Sequence, residues 1–183
     1  MNPAREGEQG LNIMSELPAC TATPPMGVHY LEAPRHPGAA ALATYWESKR
    51  AGRAMPDRAD ILPSEIARLL PHIFISEALE SGEYRFRIFG TALVDLFGCE
   101  MTGKRLMDMG TESLVITNAA AASRRWRVIM DRTRDNAGPM FAAGQLVNTI
   151  HRTLEWHSFS APLTAGGSGI AQFIGGLFTE EAP

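Results

Sequence analysis

The chain has 183 residues, 45% of them hydrophobic, with a formal net charge of −3 and a pI near 6.0. That length buries one proper core and leaves little for a second. The slightly acidic balance gives no general attraction to nucleic acid or anionic lipid, both of which need Lys and Arg in surplus on one surface.

In chain order, Met1 to about Pro37 mixes Pro18, Pro24, Pro25, Pro34 and Pro37 with Gly, Glu and Ala and holds no sustained period, which reads as a flexible Pro-rich tail. Met14 and Met26 are alternative starts within it. Residues 38–180 read as a single domain with an N-terminal helical extension. Leu42, Tyr45, Trp46 and Lys49 fall at i, i+3, i+4 and i+7, predicting an amphipathic helix over Ala39–Arg50 that Gly52 stops. Its Tyr-Trp face needs a cover, either the sheet or a second copy, so Leu42, Tyr45 and Trp46 are candidate interaction residues of a homodimer. A charged, turn-rich loop follows from Arg53 to Leu62. Pro63 then opens a short helix, Ser64 to Leu70, which Pro71 ends.

From His72 to Phe97 the order is β-turn-β-α. Ile73, Phe74 and Ile75 are β-branched and aromatic, Glu80-Ser81-Gly82-Glu83 supplies the turn, and the second run alternates Tyr84, Phe86 and Ile88 against Arg85, Arg87 and Phe89. A Gly-Thr step then opens a short helix. Gly98 and Gly103 break the chain, and Lys104 to Thr111 reads as loop. Glu112 to Asn136 is the long helix, with Val115, Ala119, Ala122, Trp126, Ile129 and Thr133 as its inward stripe. Three strands close the chain, Met140 to Thr149, Thr153 to Leu163 and Ile170 to Phe178, with Ala165–Gly169 as the hairpin between the last two. The expected fold is α+β, with five strands in the order ββ, helices, βββ. The first 40 residues hold no apolar run after a basic start, and no later segment reaches the ~20 apolar residues of a membrane span. Cys20 and Cys99 are too few and too scattered for a disulfide framework or a zinc site. The expectation is a cytoplasmic protein with no membrane contact.

These elements, and the residues that spell them, resemble the PAS-like family of small stand-alone bacterial proteins with a single PAS domain and no attached kinase or cyclase. The resemblance covers Tyr45 to about Leu177. It rests on Tyr45-Trp46, Met55-Pro56-Asp57-Arg58-Ala59-Asp60 followed by Pro63, Leu69-Leu70-Pro71, Tyr84 to Thr91, Phe97-Gly98 and Thr102-Gly103-Lys104, and more loosely on Arg152, Glu155 and Pro162-Leu163. It implies a five-stranded antiparallel sheet in the order 2-1-5-4-3, with helices packed on one face around a small cavity. It also implies a regulatory role without naming a ligand.

Several motifs carry two readings. Gly98 to Lys104 spells G-x-x-x-x-G-K, the body of a phosphate loop, but Arg105 stands where Ser or Thr would hold Mg²⁺, and two linked turns are the preferred reading. The arginines of 124–134 read as a solvated helix face before a nucleic-acid stripe. His151 and His157 lie ~20 Å apart in an extended strand, too far to share an ion. Cys99 lacks the Asn-Cys-Arg context of flavin photosensors. No metal, haem, flavin or other cofactor is expected. Arg87 sits beside an aromatic face, where a guanidinium must be paired or solvated. Glu155 is one partner for a structural pair across the sheet, and a ligand carboxylate or phosphate is the alternative; Arg152 is open to both readings. Trp126, Met130, Trp156 and Phe173 either line an apolar cavity or fill the core. The candidate ligand-binding set is therefore Arg87, Trp126, Met130, Arg152, Glu155, Trp156 and Phe173.

No catalytic set is assigned. The first functional reading is a regulatory sensor or signalling domain that binds a small amphipathic or anionic metabolite or a protein partner and has no catalysis of its own. The second is an interaction or dimerisation adaptor whose cavity is filled by side chains. The third is a small cone-type α+β enzyme with Glu155 as base, which needs a converging acid-base pair that the sequence does not place.

Overall fold

The computed structural model describes residues 27–150 and 152–181. Runs of apolar residues, buried on both faces at the centre, build the sheet: β1 (Val28–Leu31), β2 (Ile73–Ala78), β3 (Tyr84–Phe89), β4 (Met140–Val147), β5 (Thr153–Leu163) and β6 (Gln172–Glu181). Their spatial order is β1-β4-β5-β6-β2-β3, with every pair antiparallel. Without β1 this is the expected 2-1-5-4-3 arrangement, and the last strand of the chain is central, between β5 and β2. The expected tail of 1–37 lies, up to residue 26, outside the described residues. Its final part is ordered differently from expectation: Val28–Leu31 pairs with Phe141–Gly144 as a sixth strand at the sheet edge.

A central strand containing Gly175-Gly176 goes against strand propensity, and packing explains it. A Cβ on Gly175 would stand 2.2 Å from the Phe74 ring, and one on Gly176 would stand 2.9 Å from Leu42. Each glycine therefore lets a large side chain approach the backbone, one on each face of the sheet.

The two faces bury separate clusters. On the outer face lies α1 (Pro37–Arg50), whose buried residues Ala39, Leu42 and Trp46 pack with Ile73, Ile75, Phe159 and Ile174. Of the two covers expected for this helix, the fold uses the sheet. Leu42 and Trp46 are 0% and 2% exposed, so they are not at a surface where a second copy could reach them. Tyr45 sits at the rim, accepting the Leu62 N–H at 2.8 Å and donating to Glu65 at 2.9 Å. The Asp57 to Asp60 motif locks this cover in place. Asp57 accepts from Ala59 N at 2.9 Å, from Thr164 Oγ1 at 2.8 Å and from Gly166 N at 2.7 Å, which ties the loop to the β5-β6 turn.

On the inner face lie α2 (Thr91–Phe97), α3 (Met109–Glu112) and α4 (Ala119–Asn136). The long helix begins seven positions later than its period implies, because Ile116 bridges Asn148 and Asn118 caps the helix through Ala121 N at 3.0 Å. The expected helix at Ser64 to Leu70 is two short 3-10 turns, Pro63–Ile66 and Leu70–His72. The Gly98 to Lys104 segment is a pair of turns along the edge of β3, where Phe86 N donates to Lys104 O at 3.0 Å. Its glycines take positive φ at the turns, and its amides donate within the fold, Gly98 N to Val94 O, Gly103 N to Phe86 O and Lys104 N to Met101 O.

Candidate functional site

Helix α4 crosses the inner face and leaves a partly open cavity beneath it. Ala122, Arg125, Trp126 and Ile129 recur at i, i+3, i+4 and i+7, so one helical face forms the roof. The floor is the sheet: Phe74 from β2, Leu146 from β4, Leu177 from β6, and Trp156, Ser158 and Ser160 at alternate positions of β5. The cavity measures about 40 Å³.

Its walls are almost wholly apolar. Trp126 lies edge-on to Phe74 and Phe86, with centroids 4.9 and 5.3 Å apart, and tilted over Phe97 at 5.5 Å. These are the offset geometries aromatic rings prefer, and they fix one end of the roof. The polar groups are few. Ser158 Oγ reaches the Ala142 carbonyl at 3.4 Å, and Ser160 Oγ has the Met130 sulfur at 3.8 Å as its acceptor. Both bonds are long, which leaves the two buried hydroxyls free to turn toward an occupant.

Arg125 is the charged member. Its half-buried guanidinium has no hydrogen-bond or ion-pair partner among the described residues. Burial, and then the neighbouring Arg124 charge, lower its pKa from the ordinary value. It remains a cation at any physiological pH. Three other arginines of α4 are engaged, Arg127 with Glu83 and Asp131, Arg134 with Asp131 and the Tyr84 hydroxyl, and Arg132 stacked 4.1 Å over the Tyr30 ring, while Arg124 is exposed to solvent.

Of the residues expected at a ligand site, Trp126 and Trp156 meet across this cavity. Met130 is buried beside it, its sulfur accepting from Ser76 and Ser160. Phe173 is fully buried against Tyr84, with centroids 5.7 Å apart. The other three lie elsewhere. Arg152 pairs with Glu181 at 2.7 Å in the open, and Glu155 faces the outer side, 3.6 Å from His157. Arg87 sits at a β-bulge: Ile75 pairs with Ile88 and Ser76 with Phe86, so Arg87 is the extra residue. The bulge returns Phe89 to the inner face with Tyr84 and Phe86 and leaves Arg87 outward, 55% exposed and 3.8 Å from Glu77. The expected partner Glu155 is not its neighbour.

Sequence reasoning missed Arg125, Ser158 and Ser160. The signal was available: Arg125 lies three residues after Ala122 and four before Ile129, both inward, and the serines share the parity of Trp156 along β5.

The family model described as PAS domain matches residues 34–177 of the chain. The chain belongs to the PAS domain family. Among solved structures it is similar to the PAS domain of Bordetella pertussis BvgS, at 18% identity and a TM-score of 0.47, over 65% of this chain and 87% of that one. A light-oxygen-voltage domain, studied with a flavin analogue, is similar at 9% identity and a TM-score of 0.45, over 64% and 83% of the two chains. The PAS domain of a protein from Colwellia psychrerythraea is similar at 9% identity and 0.41, over 65% and 95%. No curated protein matches the chain. Among the described residues of this PAS domain no helix is long and apolar enough to cross a membrane, and no group of three or more His, Cys, Asp or Glu could hold a metal ion.

Proposed function

We propose that this PAS domain is a non-catalytic sensory module whose input is a small molecule taken up between α4 and the sheet. The observation that carries this reading is the cavity itself, an apolar space with two weakly bonded hydroxyls and one cation at its wall. Ligand sites combine apolar walls with a few placed polar groups in this way. The lining offers no nucleophile with an adjacent base, so binding is the chemistry it supports. At about 40 Å³ the cavity is far below the ~300 Å³ at which ordinary cofactor and drug sites begin, so the occupant is small and α4 shifts to admit it.

A route out of the site follows from the packing. Helix α4 carries Arg132 over Tyr30 of β1, and β1 leads within six residues to Pro37, the start of α1. A displaced α4 therefore acts on β1 and on the seat of α1, where a partner protein would read the change. A second reading, an adaptor that forms a homodimer with its cavity closed, is favoured by the small volume and by two exposed apolar residues. Leu114 and Ile150, 79% and 71% exposed, flank the Ile116–Asn148 bridge. Native mass spectrometry of the purified chain separates the two. The sensory reading expects a small-molecule mass that is lost on denaturation. A ligand-free dimer that no small organic acid or amide stabilises against heat would favour the adaptor instead.

A further inference from the structure

We infer that the occupant of the α4 cavity is a small carboxylic acid with a short apolar tail, its carboxylate held by Arg125 and its tail seated between Trp126 and Trp156. This rests on the sensory reading above and adds the charge and size of the ligand. Three observations carry it. The first is the charge at Arg125: its half-buried guanidinium stands at the cavity wall, and none of the described residues pairs with it, so an anion entering the cavity gains a charge-assisted partner. Elsewhere on α4 the arginines at positions 127, 132 and 134 have acidic or aromatic partners from the fold itself.

The second observation is size. A space of about 40 Å³ corresponds to roughly three waters at ~10–15 Å³ each, which suits an acid of a few carbons and excludes a nucleotide or a fused-ring cofactor without large rearrangement. The third is polarity. Beyond Arg125 the lining is aromatic and aliphatic, apart from Ser158 and Ser160. A bare phosphate would satisfy the cation and waste those walls, whereas a neutral hydrocarbon would use the walls and leave the cation unpaired. A carboxylate takes two parallel N–H donors from one guanidinium, and the serine hydroxyls stand ready on the floor for an oxygen that reaches past it.

Titration of ¹⁵N-labelled full chain with butanoate and benzoate, each against its matched amide, tests the inference through the indole N–H signals of Trp126 and Trp156. The acids are expected to shift both signals and to bind about tenfold or more tightly than the amides, the margin of a charge-assisted pair over a neutral one. Arg125→Gln should erase that margin, and Arg125→Lys, which keeps the charge and loses the fork, should retain part of it. Equal binding of acid and amide, or a margin that survives Arg125→Gln in a variant melting like the parent, would overturn the assignment of Arg125 while leaving a ligand-binding cavity in place. If neither acid nor amide moves either indole signal, the inference fails, and the sensory reading loses its main support with it.

Discussion

The indole N–H of Trp46 donates to the carbonyl of Pro162 at 3.0 Å, which seats α1 on the outer face of β5, the strand whose inner face carries Trp156, Ser158 and Ser160. One strand thus joins the N-terminal helix to the cavity floor. Trp46→Ala removes a buried ring and leaves that carbonyl without its donor. It should cost about 3–5 kcal/mol in chemical denaturation, with no change in oligomeric state by sedimentation. Parent-like stability, or loss of a dimer at parent-like stability, would contradict the packing.

Arg87 gives the opposite expectation. Its contact with Glu77 is 3.8 Å long and its side chain is 55% exposed, so solvent screens the pair. Arg87→Ala should cost less than about 1 kcal/mol. A loss of several kcal/mol would mean that β3 is not bulged as described.

The Asp57 carboxylate has its pKa lowered from 3.8 to about 2, first by the Ala59 N–H and then by the Gly166 N–H and the Thr164 hydroxyl. With the folded pKa below the unfolded one, its stabilisation is present above pH 3.8 and is lost as pH falls toward about 2. Asp57→Asn should therefore melt below the parent at neutral pH, and the gap should close across that acid window. A gap that is constant with pH would remove the charge from the explanation.

His36 caps α1 by accepting the Gly38 N–H on Nδ1 at 3.0 Å, which an imidazole can do only when neutral. Burial lowers its pKa from 6.5, Glu180 at 3.5 Å opposes this, and His157 and His72 reinforce it. Stability from the cap is complete above pH 6.5 and falls away as pH drops below it. His36→Asn caps without titrating, so its melting temperature should decline less than the parent's from about pH 7 to about pH 5. Glu180, His72 and His157, the groups that face His36, remain in both proteins, so the difference reports the titration of His36 and its coupling to them. Parallel curves would exclude the capping role.

The sheet was legible because its strands are rich in β-branched and aromatic residues and the turns are spelled in glycine; the bounds of β5, Thr153 to Leu163, match the sequence pattern residue for residue. Three features were not legible, each for a tertiary reason. Val28–Leu31 is four residues long, and its partner, Phe141–Gly144, lies far along the chain. Val115 and Ile116 fit a helical period, yet their backbone pairs with the β4 end. The bulge at Arg87 has no glycine to announce it, and it reversed the faces of Ile88 and Phe89. Arg125 stands three residues after Ala122 and four before Ile129, both in the inward stripe, so helical spacing places it on the same face.

The three tryptophans of the chain offer a direct test of the cavity as the input site. Trp126 and Trp156 line it, while Trp46 is buried on the opposite face of the sheet. Indole N–H spectra recorded against a library of small acids, amides and apolar fragments should show ligands that move the Trp126 and Trp156 signals and leave the Trp46 signal in place or shift it less. A library in which no compound moves those two signals, or in which every binder acts first on Trp46, would contradict a ligand-sensing cavity beneath α4.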